Sequence, residues 1–122
     1  MTAPPVLLVL DDEERILSAL RRTLRREGWR LLLTTDPAEA LRWLAEEPVA
    51  AVLSDHKMPG TSGIDFLEAA AAIRPEAARL LITGWPDDVP ADRMAAVGVR
   101  AVVSKPWSDA ALKETLRGIL GT

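Results

Sequence analysis

Short apolar runs alternate along the chain with longer stretches in which apolar residues recur every three or four positions. The short runs are Val6–Leu10, Leu31–Leu33, Val49–Leu53, Leu80–Ile82 and Val99–Val103. Each has the length of a strand and is mostly apolar at successive positions, the pattern of a parallel strand covered on both faces. All five are therefore expected to be buried strands. Ile16, Leu17, Leu20 and Leu24 place one apolar stripe on a first helix, whose acidic start and arginine-rich end both suit the helix dipole. Asp36 as N-cap, Pro37 in the first turn and Glu39 closing a capping box predict a second helix that ends before Pro48. A third is expected from Ser62 or Gly63 through Ile64, Leu67 and Ala69–Ala72. A short fourth covers Pro90–Val97 and stops at Gly98. The last starts at Ser108 and presents Leu112, Leu116, Ile119 and Leu120. Strand and helix alternate five times, so right-handed crossovers predict an α/β fold: a doubly wound, five-stranded parallel sheet with helices on both faces.

The length of 122 residues fits one domain, expected over residues 1–122, with no linker, repeat or low-complexity tract. Hydrophobic residues at 48% and charged residues at 27% are those of a chain that folds. The absence of cysteine excludes disulfides, thiolate nucleophiles and cysteine-ligated metals, and the lone histidine, His56, makes histidine-centred catalysis a poor fit. Eighteen acidic against fifteen basic residues give a net charge of −3, the wrong sign for affinity to phosphate backbones, so nucleic acid is not expected as a direct partner. Val6–Leu10 has no basic residue before it and runs into Asp11, Asp12, Glu13 and Glu14, which reads as a strand and not a targeting signal. No apolar stretch approaches the ~20 residues of a membrane span. A soluble, cytoplasmic protein is expected.

In an open parallel sheet the functional cleft lies at the carboxyl ends of the strands. The polar residues placed there are Asp11 and Asp12 after the first run, Asp55 after the third, Thr83 after the fourth and Lys105, followed by Pro106, after the fifth. Each has an ordinary structural explanation when taken singly: a helix-start acidic pair, a turn residue, a strand-end hydroxyl and a solvated lysine. Five of them at the ends of four strands are hard to explain in that way. Three carboxylates in one cleft repel, and without a cation one of them would hold a proton at a raised pKa. Magnesium suits the set, as a hard cation that prefers oxygen ligands and keeps waters that a phosphate can displace.

In combination and order, Val9-Leu10-Asp11-Asp12-Glu13, Leu53-Ser54-Asp55-His56-Lys57-Met58-Pro59-Gly60 with Gly63, Leu81-Ile82-Thr83-Gly84 and Ser104-Lys105-Pro106 are specific, and they cover nearly the whole chain. The sequence resembles the receiver domains of two-component response regulators, whose fold is CheY-like and flavodoxin-like. The resemblance implies that Asp55 is the phosphoacceptor, that Asp12 binds magnesium directly and Asp11 largely through water, and that the carbonyl of Lys57 completes the protein ligands. It further implies that Thr83 hydrogen-bonds the phosphoryl group, that Lys105 neutralises it, and that Lys105–Pro106 is a cis peptide. The phosphate would come from a sensor histidine kinase or phosphotransfer protein. The domain would catalyse only its own phosphorylation and dephosphorylation, and would control a downstream output domain or protein; a homodimer is one form it could take. His56, beside the acceptor, is expected to be a partly exposed loop residue and not a phosphodonor site.

The family position three before the lysine, usually aromatic and coupled to the threonine, is Val102 here. The expected route for the signal is therefore Gly84–Trp85 and the short fourth helix, which Pro86 and Pro90 keep short. Trp85 and Lys57 are expected to border the path of hydrolytic water to phosphorus, with Trp85 restricting it. Arg15, Arg21, Arg22, Arg25, Arg26 and Arg30 could form a docking surface for an acidic partner, but a solvated helix face is the favoured reading. Two other functions compete with this reading. A magnesium-dependent aspartyl phosphohydrolase usually wants Asp-x-Asp, whereas Glu13 stands two after Asp11. A phosphorylation-independent interaction module is undercut by the full set of site residues. Since the last helix ends near Leu120, the chain is expected to be a stand-alone regulator or a domain of a longer one. Met58-Pro59-Gly60 after Asp55, with Lys105-Pro106-Trp107, is similar to receivers joined to cyclic-dinucleotide phosphodiesterases or transcription activators.

Overall fold

In the computed structural model, which describes residues 3–121, strands and helices alternate along the whole chain. The strands are β1 (Val6–Leu10), β2 (Arg30–Thr34), β3 (Val49–Asp55), β4 (Ala78–Thr83) and β5 (Val99–Ser104). The helices are α1 (Glu14–Leu24), α2 (Pro37–Glu46), α3 (Gly63–Ile73), α4 (Ala91–Val97) and α5 (Asp109–Leu120), with a 3₁₀ turn at Pro86–Asp88 before α4. All strand pairs are parallel, in the order β2-β1-β3-β4-β5. The expected doubly wound sheet is what forms.

Alternation of side chains along each strand feeds two cores. Leu8 and Leu10 of β1, Val52 of β3 and Leu81 of β4 pack against α2, α3 and α4. Leu7, Val9, Leu53, Leu80 and Ile82 pack against α1 and α5 on the other face. A two-sided demand of this kind is why β1, β3 and β4 are nearly continuous apolar runs. The expectation of five buried strands needs correction at the edges. β2 is half-exposed along most of its length, and in β5 Arg100, Val102 and Ser104 alternate outward. An edge strand has a neighbour on one side only, and the seven-residue α4 does not cover the outer face of β5.

The helix termini follow local chemistry. Asp36 Oδ1 accepts from the amide of Ala38 at 3.0 Å, and Pro37 opens α2. The expected capping box does not close, because the Asp36 amide donates to Thr34 Oγ1 at 3.0 Å and Glu39 lies 3.5 Å from Arg42. Ser62 and Ser108 cap α3 and α5 through the amides of Asp65 and Ala111. Gly98 ends α4 with φ 77° in the left-handed region, where glycine pays no Cβ penalty.

Gly63 is required for a different reason. Its amide donates to the His56 carbonyl at 2.8 Å, and a Cβ at this position would stand 2.2 Å from the Asp55 carbonyl oxygen and 2.8 Å from His56 Cα. The start of α3 thus rests on the backbone that carries Asp55. Gly63→Ala is expected to cost about 1–3 kcal/mol by forcing α3 and the end of β3 apart. Gly118, in α5 with nothing within 4 Å of a Cβ, behaves oppositely. Gly118→Ala is expected to gain about 0.5–1 kcal/mol from helix propensity. Urea denaturation of the two variants checks the opposite signs.

Candidate functional site

The sheet register sets the site. Leu10 of β1 stands opposite Thr34 of β2 and Ser54 of β3, Asp55 opposite Ile82 of β4, and Thr83 opposite Ser104 of β5. The residues at and just after these positions therefore share one edge, beside the switch point where the chain reverses winding direction. Every candidate residue lies there. Carboxylate oxygens of Asp11, Asp12 and Asp55 all lie within 4.8 Å of one another, with Asp11 and Asp55 buried and Asp12 exposed. Lys105 Nζ donates at 3.0 Å to Asp11 Oδ2 and at 3.0 Å to Asp55 Oδ1. The Lys105–Pro106 peptide is cis, as the resemblance implied.

Backbone groups hold these side chains. Asp11 Oδ1 accepts from the Glu13 amide and Asp55 Oδ1 from the His56 amide, each at 2.9 Å. The Lys105 amide donates to the Thr83 carbonyl at 2.9 Å, tying the ends of β4 and β5. Thr83 Oγ1 accepts from the Trp85 amide at 3.1 Å, which leaves its own hydroxyl proton free to donate elsewhere.

Burial is the largest influence on the Asp55 carboxyl and, with the facing Asp11, pushes it up to about 6 against the hydrogen bond from Lys105. Burial likewise holds Asp11 above the usual carboxylate range, although the Glu13 amide and Lys105 oppose it. Burial alone would lower Lys105, but its bonds to Asp11 and Asp55 outweigh that and hold the ammonium above its ordinary value. One ammonium thus bonds two of the three clustered carboxylates, leaving negative charge in excess. The donors are all hard oxygens, so the cluster fits magnesium by charge and by ligand type.

The cleft encloses about 660 Å³ and is walled by Asp55, Thr83, Lys105, Lys57 and, at the mouth, Trp85 and Trp107. Lys57 enters through a backbone bridge to Ser62. Trp85 lines the cleft while remaining 61% exposed. His56 is half-buried outside the cleft lining, with its Nδ1 unpartnered, and burial lowers its imidazole below the usual range. Arg15, Arg21, Arg22, Arg25 and Arg26 of α1 and the residues after it, and Arg30 at the start of β2, are exposed, and of the six only Arg30 has an acidic partner among the described residues, Glu47 at 2.6 Å. Reading of the sequence missed Ile16 and Trp107 as cleft walls and Asp88 as a partner of Lys57 at 2.9 Å. A helical stripe hides Ile16 among core residues. Nothing local marks Asp88, which meets Lys57 only through the fold.

A doubly wound sheet that gathers an acidic cluster, a hydroxyl and a lysine at one edge defines a phosphoryl-handling regulatory domain. The chain matches the model of the response regulator receiver domain over residues 7–117 and belongs to that family. It is 39% identical over 114 residues to the hydrogenase transcriptional regulatory protein HoxA of Cupriavidus necator, covering 91% of this chain and 23% of that protein. It is 27% identical to the C4-dicarboxylate transport transcriptional regulatory protein DctD of Rhizobium meliloti, covering 96% of this chain and 25% of the relative. The chain therefore spans about a quarter of the length of these curated relatives. Among solved structures, the signal receiver domain of an HD domain-containing protein from Pseudomonas fluorescens Pf-5 superposes with a TM-score of 0.90 at 31% identity, covering 98% of this chain and 89% of that one. The Vibrio cholerae chemotaxis protein CheY4 gives 0.86 at 25% identity, covering 97% and 100%. No helix among the described residues is long and apolar enough to cross a membrane.

The crowded carboxylates make a prediction about the metal-free protein. A carboxyl raised in the folded state stabilises below its unfolded value, and that stability is lost as pH rises through the folded value, here between about 4 and about 6. In EDTA, Asp55→Asn is therefore expected to be more stable than wild type by on the order of 1–2 kcal/mol at pH 7.5, and by less at pH 5. With excess magnesium the difference at pH 7.5 should shrink or reverse. Urea denaturation at the two pH values, with EDTA and with magnesium, measures this.

Proposed function

We propose that the domain accepts a phosphoryl group on Asp55 from a histidine kinase or phosphotransfer protein, and that this modification controls an output domain or protein in the cytoplasm. The observation that carries the reading is the Lys105 ammonium at 3.0 Å from both Asp11 and Asp55, on the floor of a cleft that also presents Thr83. A structural ion pair needs neither the third carboxylate nor the hydroxyl.

The Lys105 and His56 donors both engage Asp55 Oδ1. Oδ2 is the oxygen that the described protein donors leave to act as nucleophile. It attacks phosphorus; the donor's bond to phosphorus breaks with its electron pair leaving on the donor, and an acyl phosphate forms. Lys105 then faces the oxygens on which charge accumulates, and the Thr83 hydroxyl donates to one of them, so the protein's part is positioning and electrostatics. Magnesium, for which Asp11, Asp12, Asp55 and the Lys57 carbonyl are the candidate ligands, would add positive charge that offsets the repulsion between carboxylate and phosphoryl oxygens. The likeness to transcriptional regulatory proteins supports transcription as the output.

Acetyl phosphate with magnesium is expected to add one phosphoryl group to the wild-type chain, read by intact mass. Asp55→Asn should accept none, and its full labelling would overturn the assignment. Asp12→Ala should mainly weaken magnesium affinity, by tenfold or more at roughly one lost carboxylate ligand, measured by titration of intrinsic fluorescence.

The exposed Trp85 ring gives a second expectation. An apolar ring at the mouth neither orients water nor removes its proton, whereas a carboxylate there could do both. Autodephosphorylation should be slow, and Trp85→Glu should speed it severalfold. Loss of phosphate from labelled protein at saturating magnesium gives both rates, and equal rates would mean that Trp85 does not guard the site.

A further inference from the structure

The connection from β4 to α4 is fastened very differently at its two ends. At the C-terminal end Val97 is buried and its carbonyl accepts from Arg79 Nε at 2.8 Å. Toward the N-terminal end Val89 is buried, but Gly84–Asp88 is exposed throughout and the N-cap position, Pro90, makes no side-chain capping bond. Beyond the Trp85 amide's bond to Thr83 Oγ1 and the turn's own backbone bonds, the polar tethers here are solvent-facing ion pairs. Arg93 lies 2.9 Å from Asp65 and 3.7 Å from Glu68 on α3. Lys57 Nζ lies 2.9 Å from Asp88 Oδ2 and 4.5 Å from the centre of the Trp85 ring. One ammonium thus pins both ends of the stretch Trp85–Asp88, and it belongs to a residue two positions after Asp55 that lines the same cleft.

We propose that Lys57 is a charge-exchange latch: a phosphoryl group on Asp55 draws its ammonium away from Asp88, releasing the Pro86–Asp88 turn and the start of α4 to move about their Arg79-held end. The inference rests on the reading of Asp55 as phosphoacceptor. In the unmodified protein the carboxylates of Asp11 and Asp55 are buried and already bonded to Lys105, whereas the exposed Lys57 ammonium is held by Asp88. Phosphorylation changes both position and charge. It converts a monoanionic carboxylate into a dianionic acyl phosphate and carries the new oxygens outward into the space that Lys57 lines. The competing pair is weak, because the side chains of Lys57 and Asp88 are 55% and 48% exposed and water screens them. A lysine on a flexible four-carbon stem exchanges partners by side-chain rotation alone. Its departure also strips the cation from the Trp85 face, so both contacts are lost together. Such a latch supplies a route that Val102, 37% exposed and without a polar atom, does not offer.

Hydrogen exchange over residues 84–94, with and without beryllofluoride and magnesium, tests this in wild type, Asp88→Asn and Arg93→Gln, alongside acetyl-phosphate labelling of each. Asp88→Asn should exchange about two- to fivefold faster than wild type before any modification, the size of one exposed ion pair, and should gain little more from beryllofluoride. Arg93→Gln should also loosen the segment yet keep a wild-type response, which separates the latch from simple loss of a tether. Wild-type protection in Asp88→Asn, an undiminished response in Asp88→Asn, or loss of the response in Arg93→Gln overturns the proposal. Wild type that takes label at Asp55 without faster exchange over 84–94 overturns the latch and leaves the phosphoacceptor reading standing. Wild type that takes no label overturns both.

Discussion

The ammonium of Lys105, shared between Asp11 and Asp55, is the contact on which the rest of the site depends. Two carboxylates are buried at the ends of adjacent strands, where desolvation and mutual repulsion both oppose their ionisation. A single cation between them offsets part of that cost and draws β1, β3 and β5 together at the carboxyl edge. It does not balance the charge, and the remaining excess is what makes the cleft receptive to a divalent cation. The same lysine holds the unmodified site together and, in the function proposed above, faces the phosphoryl oxygens.

The position of that lysine is in turn a matter of sheet register. β4 and β5 align Thr83 with Ser104, and the Lys105 amide reaches back to the Thr83 carbonyl. The hydroxyl and the ammonium are therefore placed by one local backbone arrangement. A register slip in β5 would displace Lys105 relative to both Thr83 and Asp55, so the geometry of the cleft is as firm as the sheet beneath it.

Much of this was legible in the residues themselves. The apolar runs of β1, β3 and β4 had to satisfy two cores, which made them unmistakable as central strands and located Asp11, Asp55 and Thr83 at their ends. Pattern failed where tertiary context decides. β5 is as apolar at Val99, Ala101 and Val103 as a central strand, yet its position at the edge leaves Val102 open to solvent. Glu39 stands at the right spacing for a capping box, but the Thr34 hydroxyl claims the Asp36 amide first. Lys57 and Asp88 are 31 positions apart, with nothing in their neighbourhoods to pair them; only the fold brings them to 2.9 Å. Motifs report residues whose chemistry is local, and contacts between exposed side chains on different loops leave no such trace.

The absence of a Cβ at Gly63 has a consequence for how the domain tolerates change. Because the first turn of α3 sits directly on the Asp55 carbonyl, the helix and Asp55 form one mechanical part. Exposed positions further along α3, such as Glu68 and Ala72, lie outside that seat. Their identity is free to diverge between descendants of a common ancestor without shifting Asp55, so the outer face of the helix can be rewritten while the cleft beneath it stays in place.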